Sequence, residues 1–273
     1  MQLKDYAENG LALTGIPVID IHCHLGSPAD PLVPFRSEAE QVVPFIQTME
    51  RVGVDYAVIS MLRGLYSDEL EANLDLAKIM EDHRQILGWV TYIPWLQQKS
   101  LQIADTCFTG SDRFVGMKIH PDINRYPMNG PLYTPCWEYA DSKGLLVLVH
   151  TWSTGPYSNP AMLRNIAETY KNATILIGHS GGIGAGIPTA IELANKYDNL
   201  YLDLTGAFIY STKTLDYFAE QADPEKLLFS SDATFNDLTW EIGNILYACI
   251  SDDAKEKILG LNAKRLLSRY IGS

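Results

Sequence analysis

The sequence predicts an α/β protein built as a single (β/α)8 barrel, the TIM barrel, running from residue 1 to 273. Three observations predict it. Eight short apolar runs rich in β-branched residues alternate with amphipathic stretches along the whole chain. The runs begin about 26–37 residues apart, close to the roughly 30 residues per strand–helix unit of a 250-residue barrel. Residues able to carry chemistry gather where the runs end, and functional groups of such barrels sit at the C-terminal ends of the strands.

In chain order, Val18–Cys23 is the first strand. It is apolar throughout, as expected for a parallel sheet covered on both faces. A proline-rich loop leads to a helix over Glu38–Val52 with Ser37 as its N-cap. Pro44 would kink this helix or delay its start. Asp55–Leu62 is the second strand, followed by a helix over Asp68–His83; Ile86–Ile93 is the third, followed by a weak helix near Lys99–Cys107. Phe114–His120 is the fourth, and the helix Thr134–Lys143 ends at Gly144, a residue suited to a C-cap. Leu145–His150 is the fifth, with a helix over Pro160–Tyr170; Thr174–Gly178 is the sixth, with a helix reaching about Tyr197. Leu200–Leu204 and Leu227–Ser231 are the seventh and eighth, with helices over Thr214–Gln221 and then near Leu238–Ile250, Ala254–Ile258 and Asn262–Tyr270. No linker or composition break marks a second domain. An open doubly wound sheet would also alternate strands and helices, but the count of eight and the polar strand ends favour closure.

Composition narrows the function. A net charge of −12 argues against nucleic acid or an anionic membrane as partner. No apolar run reaches the roughly 18 residues of a membrane span, and Met1–Gly15 lacks the apolar core of a secretion signal. Cys23, Cys107, Cys136 and Cys249 are scattered without a C-x-x-C pair, which suits a reducing cytoplasm. A small-molecule partner is expected, and a homo-oligomer is compatible with the sequence.

The first strand runs into Asp20-Ile21-His22-Cys23-His24. Alternate strand residues share a face, so Asp20, His22 and His24 are expected to point the same way. Two imidazoles there can converge on one ion at about 2.0–2.1 Å; two half-buried strand histidines are the plain alternative. The other strand ends favour the ion. Strand four ends in Lys118 and His120 and strand five in His150, while His179 lies just past strand six and Asp232 just past strand eight. His83, at a helix end, is expected on the surface. Closure brings strand eight beside strand one, so Asp232 can approach His22 and His24. Such a nitrogen and oxygen donor set suits one divalent metal, zinc first, with manganese or ferrous iron as alternatives.

Arg63 after strand two, Arg125 and Tyr126 after strand four, and Trp152 after strand five are further pocket candidates. An arginine there could hold a carboxylate through two hydrogen bonds, or be solvated. The glycines around Gly178–Gly186 fit neither G-x-G-x-x-G nor a G-K-[ST] loop, so they are read as a turn that swings His179 over the barrel mouth. Cys23 should face away from the two histidines and pack against a helix.

The ordered set Ile19-Asp20-Ile21-His22-Cys23-His24, Gly116-Met117-Lys118-Ile119-His120-Pro121, Val149-His150-Thr151, Ile177-Gly178-His179-Ser180-Gly181-Gly182, Ser230-Ser231-Asp232 and Leu259-Gly260-Leu261-Asn262-Ala263-Lys264-Arg265-Leu266-Leu267 resembles the amidohydrolase superfamily. Within it, the chain is most similar to amidohydrolase family 2, the branch that includes aminocarboxymuconate semialdehyde decarboxylase and pyrone-dicarboxylate lactonase. The resemblance runs from about residue 18 to 270.

The resemblance implies that His22, His24, His150 and Asp232 bind one divalent metal and that His179 orients water or substrate. A metal lowers the pKa of its water toward about 7. Asp232 could then take that water's proton, and His179 could stabilise an oxyanion. Binuclear members of the superfamily carry a carboxylated lysine at the end of strand four. Lys118 could serve so, or as an ammonium that attracts a substrate carboxylate; the mononuclear reading is favoured. His120 would line the pocket or serve structure. The expected activity is metal-dependent hydrolysis of an ester, lactone or amide of a small carboxylated molecule, with metal-dependent non-oxidative decarboxylation as the alternative. Substrate choice is expected to lie in the loops Gly26–Arg36, Asp122–Pro131 and Trp152–Asn159.

Overall fold

A computed structural model describes residues 2–26, 38–206 and 213–271. Eight parallel strands follow one another around the sheet in sequence order: β1 (Ile19–Leu25), β2 (Tyr56–Met61), β3 (Ile86–Thr91), β4 (Phe114–Ile119), β5 (Leu146–His150), β6 (Thr174–Gly178), β7 (Leu200–Asp203) and β8 (Leu227–Leu228). The ring shuts between β8 and β1. Ile21 N donates to Phe229 O (3.3 Å), Asp232 N donates to His22 O (2.8 Å), and His24 N donates to Ala233 O. Helices separate the strands, so the architecture is the (β/α)8 barrel.

The core has two layers, as the strand pattern requires. Val58, Leu87, Trp89, Val115, Leu146, Leu148, Leu176 and Leu228 fill the barrel interior. Their strand neighbours Ala57, Ile59, Ile86, Val90, Met117, Val147, Val149, Ile175 and Ile177 pack outward under the helices. Both sets are buried, which is why the runs read as uniformly apolar.

Two bulges correct the simple alternation. On β1, Asp20 pairs with Ala57 but Cys23 pairs with Ile59, so one extra residue lies between them. Ile19 and Ile21 therefore face the interior, yet His24 pairs with Ser60, in phase with inward-facing Val58. Asp20 takes the outward phase and does not share a face with the histidines as expected. Its carboxylate accepts from Ser231 N (3.0 Å) and His22 N (3.2 Å). On β4, the step from Phe114 to Gly116 faces the step from Gly88 to Trp89, which turns Lys118 inward beside Leu148. Each bulge has a donor near it. Trp89 Nε1 donates to Ile21 O (2.9 Å), and the Tyr270 hydroxyl donates to Val115 O (2.9 Å).

Helix limits differ from expectation in several places. The stretch after β2 forms two helices, Leu62–Tyr66 and Ala72–Asp82, and Gln97–Gly110 is longer than predicted. Glu38–Val52 is helical with Pro44 inside it, so the proline does not delay the start; the expected cap, Ser37, lies outside the described residues. Leu238–Leu246 begins at Asp237, whose side chain accepts from Thr239 N and Trp240 N, and ends before Ile250. An N-terminal helix, Leu3–Glu8, had no apolar periodicity long enough to announce it. At the other end of the chain, Ala263, Leu267 and Ile271 plug the barrel interior. Gly260 permits the close approach there, since a Cβ would lie 1.9 Å from Pro17 O. No helix among the described residues is long and apolar enough to cross a membrane.

Candidate metal centre

His22 and His24 reach the C-terminal rim on β1, and Asp232 stands just past β8. The chain turns sharply at Asp232, which adopts φ 58°, a strained conformation for a non-glycine residue of the kind that concentrates at functional sites. His24 Nε2 lies 3.2 Å from His22 Nε2 and 3.0 Å from Asp232 Oδ1; His22 Nε2 lies 3.6 Å from the same oxygen. One donor atom from each of the three falls within 4.8 Å of the others, a group that could hold a metal ion.

The hydrogen bonds constrain where the ring protons sit. His24 Nδ1 contacts Ser60 O (3.2 Å) and Ser60 Oγ (2.9 Å). With its proton on Nδ1, His24 donates to Ser60 O and Nε2 presents a lone pair; with the proton on Nε2, the ring donates to Asp232 Oδ1 and accepts from Ser60 Oγ. His22 Nδ1 lies 2.6 Å from Asp203 Oδ2, while Lys118 Nζ lies 2.6 Å from His22 Nε2. An ammonium only donates, so His22 carries its proton on Nδ1. Two imidazole nitrogens and a carboxylate thus converge, and a bound cation would select the tautomer of each ring that turns a lone pair inward. That donor set fits a borderline divalent cation.

Burial and charge agree with these states. Burial, then the Lys118 charge, holds the His22 imidazole well below its ordinary pKa, and burial also lowers His24. Burial alone would raise Asp232, but the hydrogen bond with His24 and the neighbouring imidazoles carry it well below the usual carboxylate range. Burial lowers Lys118 to about 8 against the pull of Asp232 and Asp203.

His150 stands beside this group rather than within the three-residue cluster. Its ring stacks on His120 (centroids 3.8 Å, 14°) and lies 4.7 Å from the His179 ring. Its Nε2 is 3.7 Å from Asp122 Oδ2, and its Nδ1 is buried without a hydrogen-bond partner. Asp122 is fixed in turn by Ser158 Oγ and by Tyr157 N (3.4 Å), which ties the loops after β4 and β5 together. Trp152 continues the stack, parallel to His150 at 6.4 Å.

His179 is placed by an unusual run of backbone. His179, Ser180, Gly181 and Gly182 all have positive φ, and His179 Nδ1 lies 3.3 Å from Thr205 O. The glycines serve this turn. At Gly182 a Cβ would lie 2.5 Å from the Trp152 ring. His22, His24, Lys118, His120, His150, Trp152, His179 and Asp232 all open onto one cavity of about 280 Å³, completed by Leu62, Leu65, Tyr66, Gly206, Phe235 and Asn236.

The two arginines go elsewhere. Arg63 is held by Glu38 (2.7 Å), Glu69 (3.2 Å) and Asp75, and does not line the cavity. Arg125 is exposed at the left-handed end of the short helix Pro121–Asn124, and Tyr126 packs on Trp95 and Tyr133. Cys23 packs in the outer core with its Sγ 3.6 Å from Ser231 Oγ, and burial pushes its thiol pKa up. His83 is half-buried, and its carbonyl accepts from Arg113 Nη2 (2.9 Å). Of the loop Gly26–Arg36, only Gly26 lies within the described residues.

Residues 19–269 match the Amidohydro_2 (amidohydrolase) family model. The chain belongs to the amidohydrolase family. It is therefore an enzyme of that superfamily, and its solved structural neighbours include decarboxylases and a hydrolase. The chain is similar to 5-carboxyvanillate decarboxylase from Sphingomonas paucimobilis, with 16% identity over 93% of this chain and 99% of that one and a TM-score of 0.73. It is similar to dihydroxybenzoic acid decarboxylase from Polaromonas sp. JS666 with bound manganese and the inhibitor 2-nitroresorcinol (17%, 94% and 98%, 0.72). It is also similar to a probable 2-pyrone-4,6-dicarboxylic acid hydrolase from Acinetobacter baumannii with citric acid bound (15%, 93% and 100%, 0.66). At these identities the likeness is one of fold. No curated protein matches the sequence.

Asp203, at the end of β7, was missed by reasoning from the sequence. It is a buried polar residue at a strand end like the others, and only the apolar residues around it, Leu202 and Leu204, made it read as part of the strand.

Proposed function

We propose that this amidohydrolase-family enzyme binds one divalent metal through His22, His24, His150 and Asp232 and acts on a small carboxylated molecule. The observation that carries the reading is the convergence of two imidazole nitrogens and the Asp232 carboxylate within 4.8 Å. The buried Nδ1 of His150 without a partner supports its inclusion. Bound there, the ion supplies Lewis-acid polarisation of a substrate or water oxygen. Zinc and manganese both suit the donors, and one neighbour of the same fold carries manganese.

Decarboxylation is the reaction we favour. Leu62, Leu65, Tyr66, Trp152 and Phe235 give the cavity apolar walls, and among the described residues its lysine or arginine lining is Lys118 alone. An apolar surrounding weakens hydration of a bound carboxylate, which favours its loss as carbon dioxide. Lys118 would draw the substrate's anionic group toward the rim. As the carbon–carboxylate bond breaks and carbon dioxide leaves, His179 or Asp232 would relay a proton taken from solvent to the carbon left behind. Several neighbours of the same fold are decarboxylases of carboxylated aromatic rings. Hydrolysis is the second reading, supported by Asp232, which could act as a base toward water, and by the hydrolase neighbour.

Incubation of the metal-loaded protein with a panel of aromatic carboxylates and lactones separates the two. Carbon dioxide release supports decarboxylation, whereas acid release from lactones without it selects hydrolysis. His150→Asn and Asp232→Asn should each lower bound metal and turnover together. Full metal content and activity in either variant would refute the ligand assignment.

A further inference from the structure

We infer that Asp203 is the positioning residue that fixes His22 as a metal ligand and links it to the segment carrying His179; the inference rests on the metal-binding reading above. Asp203 is fully buried at the end of β7, and its Oδ2 lies 2.6 Å from His22 Nδ1. Its other oxygen accepts from Thr205 N (3.0 Å) and from the Ser230 hydroxyl, which itself lies 2.9 Å from Thr205 N. Its backbone carbonyl accepts from Ser180 Oγ (2.6 Å), the residue after His179. One residue thus joins β1 and the stretch after β8 through its carboxylate, and the turn after β6 through its carbonyl.

The chemistry of the contact is directional. An Nδ1–H held by a carboxylate leaves Nε2 with the lone pair, fixes the ring plane and makes that nitrogen a better donor to a metal. His24 has no such partner. Its Nδ1 meets a serine hydroxyl and a carbonyl, both neutral. The two histidines of one His-x-His motif are therefore backed unequally, and His22 should be the stronger ligand, its strength set by Asp203.

The test uses the full chain labelled with 15N in its histidines, together with chelator competition for zinc and for manganese. In metal-free wild type, His22 should show protonated Nδ1 and bare Nε2. Asp203→Asn should shift that tautomer and weaken metal binding about 10–100-fold. Ser60→Ala, behind His24, should weaken it less. A wild-type His22 protonated at Nε2, or an Asp203→Asn variant that binds metal as tightly as wild type, overturns the inference. Should Asp203→Asn fail to fold, Ser230→Ala decides: a several-fold weaker affinity supports the inference, and an unchanged one overturns it. A wild type that binds neither ion refutes the metal reading instead, while the His22 tautomer still judges the Asp203 contact.

Discussion

Lys118 Nζ lies 2.6 Å from His22 Nε2, the nitrogen that turns toward Asp232. The ammonium and a bound metal ion would compete for one lone pair. Replacing the charge should strengthen metal binding, so Lys118→Met is expected to bind zinc at least about tenfold more tightly, as removal of a nearby like charge predicts. Turnover of a carboxylated substrate should fall at the same time. Chelator competition and steady-state kinetics on one preparation check both.

The donor atoms that converge belong to one group of three, His22, His24 and Asp232, among the described residues. Elemental analysis of protein prepared without chelator should return one equivalent of divalent metal. Two equivalents would make Lys118 a bridging ligand.

Burial raises the Glu241 carboxyl from 4.5 to about 7, with Asp20, Asp232 and Asp203 adding to the effect. Between those values the native protein keeps a proton that the unfolded chain has released. Its favourable contribution is complete below about 4.5 and is lost as pH rises through about 7. Glu241→Gln should therefore gain stability over wild type at pH 8, by up to about 3 kcal/mol, and differ little at pH 4. Asp20, also raised to about 7 by burial, leaves a residual slope. Urea denaturation at the two pH values measures the difference.

Trp89 Nε1 is the side-chain donor to Ile21 O in the β1 bulge. Trp89→Phe keeps a ring in the barrel but leaves this carbonyl without its bond, and should cost about 1–3 kcal/mol. The bulge aims His22, so metal affinity should fall as well. Denaturation and metal titration of the variant test the two effects separately.

Gly182 packs against Trp152 at φ +74°, with a Cβ position 2.5 Å from the indole. Gly182→Ala should displace the indole and the His179 turn. Turnover is expected to drop by an order of magnitude or more, in line with small misplacements elsewhere, while apo metal affinity changes far less.

The barrel and the rim were legible because every strand announced itself by an apolar run, and strands one, four, five, six and eight also by polar residues at or just past their ends. His22, His24, Lys118, His120, His150, His179 and Asp232 meet in one cavity as that reading expects. The phase of β1 was not legible. Asp20 sits two residues before His22 and looks like its neighbour, but an inserted residue is invisible in a pattern of period two. Arg63 misled for a different reason. Its partners Glu38, Glu69 and Asp75 come from separate helices and turns, and no local spacing records that three carboxylates surround it. Asp203 was hidden by its own strand, since a carboxylate between two leucines reads as part of the strand and gives no hint that a histidine from β1 lies across the barrel.

Asp232 N donates to His22 O where the last strand meets the first, and their side chains face the same spot. A bound ion would act there as a clasp on the one join that, among the described residues, the ladder of sheet pairings leaves to a few backbone contacts. Chelation should then loosen the molecule first along that line, and amide exchange at Ile21, His24 and Asp232 should quicken before exchange in the middle of β4 or β5 does.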